Sequence, residues 1–183
     1  MNAVLKDLIQ VASWAAAIIA GLLAAFVAIR QLKLSTEQRQ IELRWRQANA
    51  AKESINEIHG NSWAKNAVIM FDLSEGKHHR LTFVEEKHRV EICYEKDVIP
   101  ALEKSYRECS DIEQDIAYCF DWFFYFVDRI EHYIRTDLIK FEDVEDVFRP
   151  YSEKVKEHEQ VFETFMNKHS YKLANAFWKR YGA

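Results

Sequence analysis

The amino-acid sequence predicts an all-α protein in which one N-terminal transmembrane helix continues into a long juxtamembrane helix, followed by a cytosolic helical bundle. The 183 residues include only four Gly and two Pro, the residues that most often interrupt helices. A stretch of 22 residues over 8–29 carries no charge, and aromatic residues make up 14% of the chain, enough for the core of one modest domain. We divide the chain into an anchor over 1–33, a juxtamembrane helix over 34–59 and a cytosolic helical domain over 60–183.

The charge-free stretch predicts an uncleaved, single-pass membrane anchor. At about 1.5 Å per residue, a helix over 8–29 is roughly 33 Å long, which is enough to cross a hydrocarbon core of about 30 Å. A signal peptide has a shorter apolar region that ends at a cleavage site. The stretch is instead followed by five basic residues, namely Arg30, Lys33, Arg39, Arg44 and Arg46. The positive-inside rule places them in the cytosol and the N-terminus outside, with Arg30, Lys33 and Arg39 at the lipid headgroups.

Small side chains recur along one face of the predicted span. One row, with a spacing of four residues, comprises Ser13, Ala17, Gly21 and Ala25. A second row of alanines runs beside it from Ala12 to Ala28. Because small residues let helices pack closely in lipid, the first row predicts self-association, although alanine is also simply tolerated in spans. Gln10 and Ser13, at the outer end, are candidates to bond between helices or to line a narrow polar opening.

Hydrophobic periodicity and turn residues predict the helices that follow. The predicted segments are 63–73, 82–95, a turn beginning near Pro100, 112–134, 142–148, 151–168, and a last helix from Ser170 to near Tyr181. Ser62, Asp111 and Ser170 are the expected N-caps. The pair Arg149-Pro150 is expected to separate two helices, and 74–79 is the most loop-like segment.

The stretch YCFDWFFYF, over 118–126, has seven aromatic residues in nine positions. The apolar run that contains it covers only 116–127 and includes Asp121, so it is too short for a second span. Aromatic residues at every angle predict a helix at the centre of the domain's core or at a subunit interface. A patch that faces a partner or the membrane remains the alternative.

Charge is unevenly distributed along the chain, whose net charge is −4. Residues 1–59 carry seven Lys or Arg against five Asp or Glu, a balance of +2. Residues 60–183 carry 18 against 24, a balance of −6. An acidic domain repels a phosphate backbone, so the sequence predicts membrane lipids and a cytosolic protein as partners, and no nucleic acid.

Candidate chemistry is sparse. Asp121, Asp128 and His132 share one face of the predicted central helix. They could bind a metal ion or act as a catalytic acid and base. The alternative is an ordinary polar helix face whose carboxylates are neutralised by Arg129 and Arg135. His78 and His79 with His88 could bind a metal adventitiously, but nothing in the sequence fixes their geometry. His158 and His169 are expected to be ordinary residues on amphipathic helices, and Cys93, Cys109 and Cys119 are too widely spaced for a zinc site. We expect reduced, mostly buried thiols, and we assign no catalytic residue, metal or cofactor.

Known catalytic motifs are missing from the sequence. It has no phosphate-binding loop, no GxSxG, no HExxH and no GxGxxG. A ribonuclease that uses Arg, four to six residues, then His would need a pair that this chain lacks, since seven residues separate Arg80 from His88 and eight separate Arg149 from His158. A degenerate form of such an enzyme stays open.

The order of segments supports a resemblance. A short N-terminal span is followed by AIRQLK, a charged helix with Trp45, the aromatic helix CFDWFFYFVDRIEHYI and then DLIKFEDVEDVFRPY. This layout resembles an uncharacterised group of short, single-span bacterial inner-membrane proteins with helical cytosolic domains. It is also similar to small membrane effectors encoded with bacterial anti-phage and CRISPR systems, some of which assemble into pores. The resemblance implies an inner-membrane location and supplies no catalytic residue.

The sequence as a whole favours a non-enzymatic, homo-oligomeric inner-membrane protein whose spans pack through the small-residue row. In its sharpest form the oligomer is a gated pore or a membrane-perturbing effector in bacterial defence. One alternative is a membrane-tethered interaction or scaffold module, for which the span is only an anchor. The other is the degenerate membrane-bound ribonuclease, which would act through His132 or His158.

Overall fold

The computed structural model describes residues 3–72, 78–82 and 89–181. The described chain is all-α apart from one small hairpin. Its α-helices are α1 (Ala3–Gly60), α2 (Ser62–Phe71), α3 (Ile99–Glu103), α4 (Asp111–Arg135), α5 (Glu145–Glu157), α6 (Glu159–Lys168) and α7 (Lys172–Tyr181). The hairpin strands are β1 (His78–Thr82) and β2 (Arg89–Cys93), a π-helical turn covers Tyr94–Val98, and a 3₁₀ turn covers Phe141–Asp143.

The chain forms two compact units, Met1–Trp45 and Arg46–Ala183. The first unit consists of the N-terminal part of α1, where no described side chain is buried. Its large apolar side chains are each at least 51% exposed: Trp14, Ile18, Ile19, Leu22, Leu23, Phe26, Val27, Ile29, Leu32, Leu34, Ile41, Leu43 and Trp45. Among the described residues, α1 is the one helix long and apolar enough to cross a membrane, with a mean hydropathy of 2.2 in its most apolar window.

The second unit is built around α4. Phe120, Phe123 and Phe124 are completely buried, and α2 and α7 make the most extensive contacts with this helix. The Phe71 ring of α2 lies 5.1 Å from Phe120, and the Trp178 ring of α7 is stacked 6.5 Å from Phe123. The expected core position of the aromatic helix is therefore confirmed for its phenylalanines.

The predicted helix over 82–95 is wrong. Thr82 ends strand β1, and the segment 89–93 forms β2, which pairs antiparallel with β1 in the register His78↔Cys93 to Thr82↔Arg89. Residues 83–88 lie outside the described residues, as do 73–77, which include most of the predicted loop. The β-branched residues Thr82, Val90 and Ile92 fit a strand better than a helix, and two five-residue strands are too short to display a clear period.

Three predicted helix starts need correction. Asn61, rather than Ser62, caps α2, because its side chain accepts the Ala64 N–H at 2.9 Å. Ser110, rather than Asp111, caps α4 through a capping box in which Ser110 and Glu113 bond each other's backbone N–H groups. Ser170 has φ 66° and lies before α7, so it does not cap that helix.

Pro150 lies inside α5 instead of separating two helices, so the predicted division at Arg149-Pro150 is wrong. Proline removes the N–H that would bond to the carbonyl of residue 146, but the helix continues to Glu157. Phe148 and Val155, on either side of Pro150, are buried in the core and hold α5 in place. The break occurs instead at His158, between α5 and α6.

Candidate functional site

The predicted packing row lies on the surface of α1. Ser13, Ala17, Gly21 and Ala25 are all exposed along one side of the helix, and so is Gln10. The Ser13 hydroxyl donates to the Gln10 carbonyl at 2.8 Å, within its own helix. Ser13 and Ala17 form a shallow hollow between the larger side chains of Trp14 and Ile18. At its outer end, the row is thus recessed between bulkier side chains.

Gly21 is free of contacts that would require a glycine. Apart from the backbone of its own helix and its two chain neighbours, a Cβ atom added at this position would meet no described atom within 4 Å. The residue lies in a regular helix, where glycine costs about 1 kcal/mol relative to alanine. The packing of this chain alone therefore does not explain why a glycine stands here. Arg30, Lys33 and Arg39, predicted to meet the lipid headgroups, are exposed on the same helix.

Asp121 of α4 binds the corner between α6 and α7. Its Oδ1 accepts a hydrogen bond from the Tyr171 hydroxyl at 2.8 Å and lies 2.9 Å from Nδ1 of His169. The His169 ring stacks on Phe165 at 4.3 Å. Burial acts to raise the pKa of Asp121, but the bonds from His169 and Tyr171 outweigh it and lower the pKa below its ordinary value. The carboxylate is thus held ionised as a structural acceptor.

Asp128, two helical turns further along α4, caps α7. Its Oδ1 accepts the backbone N–H groups of Leu173 and Ala174, at 2.8 and 3.0 Å. The first N–H groups of a helix have no partners within it, and an acidic oxygen there also meets the positive end of the helix dipole. The cap expected from Ser170 is therefore supplied by a side chain more than 40 positions earlier.

The predicted row of Asp121, Asp128 and His132 does not form one site. The two aspartates bind different parts of the α6–α7 corner, and His132 is exposed beside Tyr133. Arg129 and Arg135, expected to neutralise the aspartates, pair instead with Glu57 at 3.0 Å and Glu131 at 2.7 Å. Within the described residues, no group of three or more His, Cys, Asp or Glu side chains is arranged to hold a metal.

The remaining candidate residues are dispersed. Cys93 and Cys119 are buried and Cys109 is half-buried; burial raises the pKa of the Cys119 and Cys109 thiols, which makes them poor nucleophiles. His158 packs 5.5 Å from the Tyr94 ring, while Arg149 is exposed and pairs with Glu145. His78 and His79 lie on β1. His88 lies outside the described residues.

The outer face of α4 carries a second candidate surface. The outer aromatic surface consists of Trp63, Tyr118, Trp122 and Tyr125. Tyr118 and Tyr125 are each 43% exposed, and neighbouring rings lie 4.9 to 6.3 Å apart in edge-on arrangements. The Arg129 guanidinium, 5.7 Å from the Tyr125 ring centre, extends this surface. Tyrosine, tryptophan and arginine are the residues most enriched at protein interfaces.

Two features of the bundle were not expected from the sequence. A half-open cavity of about 210 Å³ lies between α5, α6 and α7, with Val155, Met166 and Trp178 among its lining residues. Glu131 is completely buried, with Oε1 bound to Arg135, while its Oε2 has no hydrogen-bond partner among the described residues. The cavity joins residues of three helices, so no local pattern signals it, whereas Glu131 and Arg135 have the i, i+4 spacing of an ordinary helical ion pair, which does not reveal that Glu131 is buried.

Comparison of this chain with protein-family models, with curated proteins and with solved structures finds no match. The resemblance to single-span inner-membrane proteins therefore stays a prediction. Two exposed surfaces are the candidates for function. One is the exposed apolar part of α1 with its small-residue row, and the other is the outer aromatic surface of the bundle. Asp121, Asp128 and His169 of the bundle are used in structural bonds.

Proposed function

We propose that this chain is a non-enzymatic, homo-oligomeric membrane protein whose spans pack against each other through Ser13, Ala17, Gly21 and Ala25. The N-terminus lies outside the inner membrane, and the helical bundle lies in the cytosol, where it binds a protein partner. In the sharpest form of the proposal, rearrangement of the bundles changes the packing of the spans and opens a pore or perturbs the membrane, as a bacterial defence effector would.

The observation that carries this proposal is the glycine in an exposed helix. A Cβ atom added at Gly21 would meet no other part of the described chain within 4 Å, and Ser13 and Ala17 line a shallow hollow bordered by Trp14 and Ile18. In lipid, apolar burial does not drive helix association, so close approach of backbones at small residues becomes the main source of attraction. A second copy of the same helix is the partner that a single-span protein always has available in its own membrane.

The test replaces the small side chains with large ones. In full-length protein in detergent micelles, we expect the double variant Ala17→Leu and Gly21→Leu to be monomeric, because two leucines hold the backbones apart. The matched control is Ile19→Ala with Leu22→Ala, two exposed residues about 140–160° around the helix from Ala17 at 100° per residue. Size-exclusion chromatography with light scattering measures the mass. Unchanged assembly of the leucine variant would refute the proposal.

The pore form of the proposal needs its own measurement. We expect purified protein in lipid vesicles to release an entrapped small dye, and the leucine variant to release none. Retention of the dye by vesicles that contain oligomeric wild-type protein would exclude a constitutive pore while leaving self-association intact.

The outer aromatic surface favours a second candidate function, a membrane-tethered interaction module. Tyr118 and Tyr125 are each 43% exposed on a helix whose other face is buried, and Trp122 lies half-buried between them. If this module is the whole function, the bundle fused to an unrelated span keeps full activity, and Trp122→Ala with Tyr125→Ala abolishes it. Loss of activity with the foreign span favours the homo-oligomer.

A further inference from the structure

The cavity between α5, α6 and α7 reaches from the surface of the bundle to its core. Its volume is about 210 Å³, and the apolar residues that line it are Val155, Met166 and Trp178, all three of them buried. The interior of a folded protein contains few voids larger than a water molecule. An open cavity of this size with an apolar floor is therefore a candidate site for a small ligand.

The floor of the cavity is held in place by the aromatic core. The Trp178 ring lies edge-on to Phe177 at 5.0 Å and to Phe148 at 6.0 Å, and it is stacked 6.5 Å from Phe123. An apolar group can bind to such a preformed surface without ordering the side chains that receive it. A cavity of about 150 Å³ is large enough for benzene, so this one has room for a group the size of a single ring.

Most polar groups on the cavity wall already have partners within the bundle. The Glu163 carboxylate accepts hydrogen bonds from Lys179 and Asn175, and the bond from Lys179 lowers the pKa of this carboxyl group and keeps it ionised. The Asn175 amide also donates to the Asn167 side chain at 3.1 Å. The Ser152 hydroxyl donates to a backbone carbonyl of its own helix at 2.7 Å. These groups shape the wall.

Two side chains of opposite charge at the cavity are not used in this way. Lys156, in the last turn of α5, and Glu159, the first residue of α6, both line the cavity and are exposed, so they lie at its mouth. Within the described residues, neither side chain forms an ion pair or a hydrogen bond. Because only three positions separate them, their Cα atoms are at most about 11 Å apart, and both long side chains can reach one ligand.

We propose that this cavity binds a free amino acid with an apolar side chain, such as phenylalanine or leucine. Lys156 pairs with the α-carboxylate, Glu159 pairs with the α-ammonium group, and the apolar side chain lies against Val155, Met166 and Trp178. At neutral pH a free amino acid carries both charges, whereas a singly charged molecule would be attracted by one of the two ions and repelled by the other. The site uses residues of the bundle alone, so the inference does not depend on the packing of the spans.

Isothermal titration calorimetry of the full-length protein in detergent tests the class of ligand. We expect saturable binding of L-phenylalanine or L-leucine below about 10 mM, and no binding of L-serine, which lacks an apolar side chain. The analogue 3-phenylpropionate lacks the ammonium group and 2-phenylethylamine lacks the carboxylate, so each should bind at least about fivefold more weakly than L-phenylalanine. If either analogue binds as tightly as L-phenylalanine, the site recognises a single charge and the proposal is wrong. If neither amino acid binds, the cavity is only a packing void.

Substitutions that remove one charge locate the binding site. We expect Lys156→Met and Glu159→Gln each to weaken the binding of L-phenylalanine at least about fivefold. The matched controls are Lys65→Met and Glu142→Gln, which should leave the affinity unchanged because neither residue lines the cavity. All four residues are exposed, so we expect each variant to fold. Unchanged affinity in either cavity variant, or an equal loss in the controls, would overturn the assignment.

Discussion

Two isoleucines on the same helix have opposite surroundings. The Ile41 side chain, in the first unit, is 70% exposed, whereas Ile58, in the second unit, is 3% exposed. In the second unit, α1 buries Gln47, Ala51, Ser54 and Ile58 at intervals of three and four, which is how a helix packs one face onto a core. The first unit is more apolar, yet none of its described side chains is buried within the chain. An exposed apolar surface of this extent is typical of surfaces that face lipid or bind a partner.

The largest effect on the free energy of unfolding is expected when isoleucine is replaced by alanine at each of these two positions in turn. We expect Ile58→Ala to lower the free energy of unfolding of the bundle by about 2–5 kcal/mol, because it opens a cavity in the core. Ile41→Ala removes the same atoms from an exposed site and should change that free energy by less than about 0.5 kcal/mol. Urea unfolding of the full-length protein in detergent, followed by tryptophan fluorescence, measures both. Equal losses would show that Ile41 belongs to the bundle core.

Stability within the second unit depends on contacts between distant helices, and the cap of α7 tests this. We expect Asp128→Ala to cost about 1–2 kcal/mol, the usual effect of losing an N-cap, because two backbone N–H groups lose their acceptor. Asp146 is the matched control: its carboxylate is exposed and pairs with Arg149 at 3.3 Å, so Asp146→Ala should cost no more than about 0.5 kcal/mol. Hydrogen exchange should localise the effect of Asp128→Ala to α7, and a uniform loss of protection would contradict the cap.

Features that depend on a local repeat of residues are predicted well from the sequence, and most features that depend on contacts between distant segments are not. Helix α4 is predicted to within a residue or two, since its apolar residues repeat at threes and fours over 25 positions. Its aromatic residues divide between core and surface by type: Phe123 and Phe124 are buried while Tyr118 and Tyr125 are half-exposed. The phenol oxygen, which prefers water, is the signal in the sequence that could have separated them.

Apart from the helix caps at Asn61 and Ser110 and the helical Pro150, the features that the sequence misses join segments that are further apart in the chain. The strand pair joins residues up to 15 positions apart, such as His78 and Cys93, and the Asp128 cap joins residues 45 positions apart. His169 lies in the turn after α6, and its contact with Asp121 arises only because the fold brings this turn against α4. For the span, in contrast, length and composition are sufficient to identify the candidate helix, because the bilayer requires a long uninterrupted apolar segment.

The Asp121 contact makes part of the bundle's stability depend on pH. Because its pKa is lowered in the folded protein, the carboxylate stabilises the fold at every pH above its ordinary pKa, near 4. That contribution is lost as the pH falls through the lowered value. We expect Asp121→Asn to cost about 1 kcal/mol at pH 6 and progressively less below about pH 4. The measurement is the difference in urea midpoint between wild type and variant from pH 6 to pH 3. A constant difference would refute the assignment.

The smallest expected effect is a stabilisation, and it comes from a substitution at Ser170, in the turn between α6 and α7. Ser170 adopts φ 66°, a left-handed conformation that costs a non-glycine residue about 1–2 kcal/mol, and its side chain is exposed. Ser170→Gly removes this strain but gives the unfolded chain more freedom, so the net stabilisation should be about 0.5 kcal/mol. The control is Ser152→Gly inside α5, where glycine should destabilise by a similar amount. A destabilising Ser170→Gly would mean that the Ser170 side chain stabilises the corner between α6 and α7 together with the hydrogen bonds of Asp121 and Asp128.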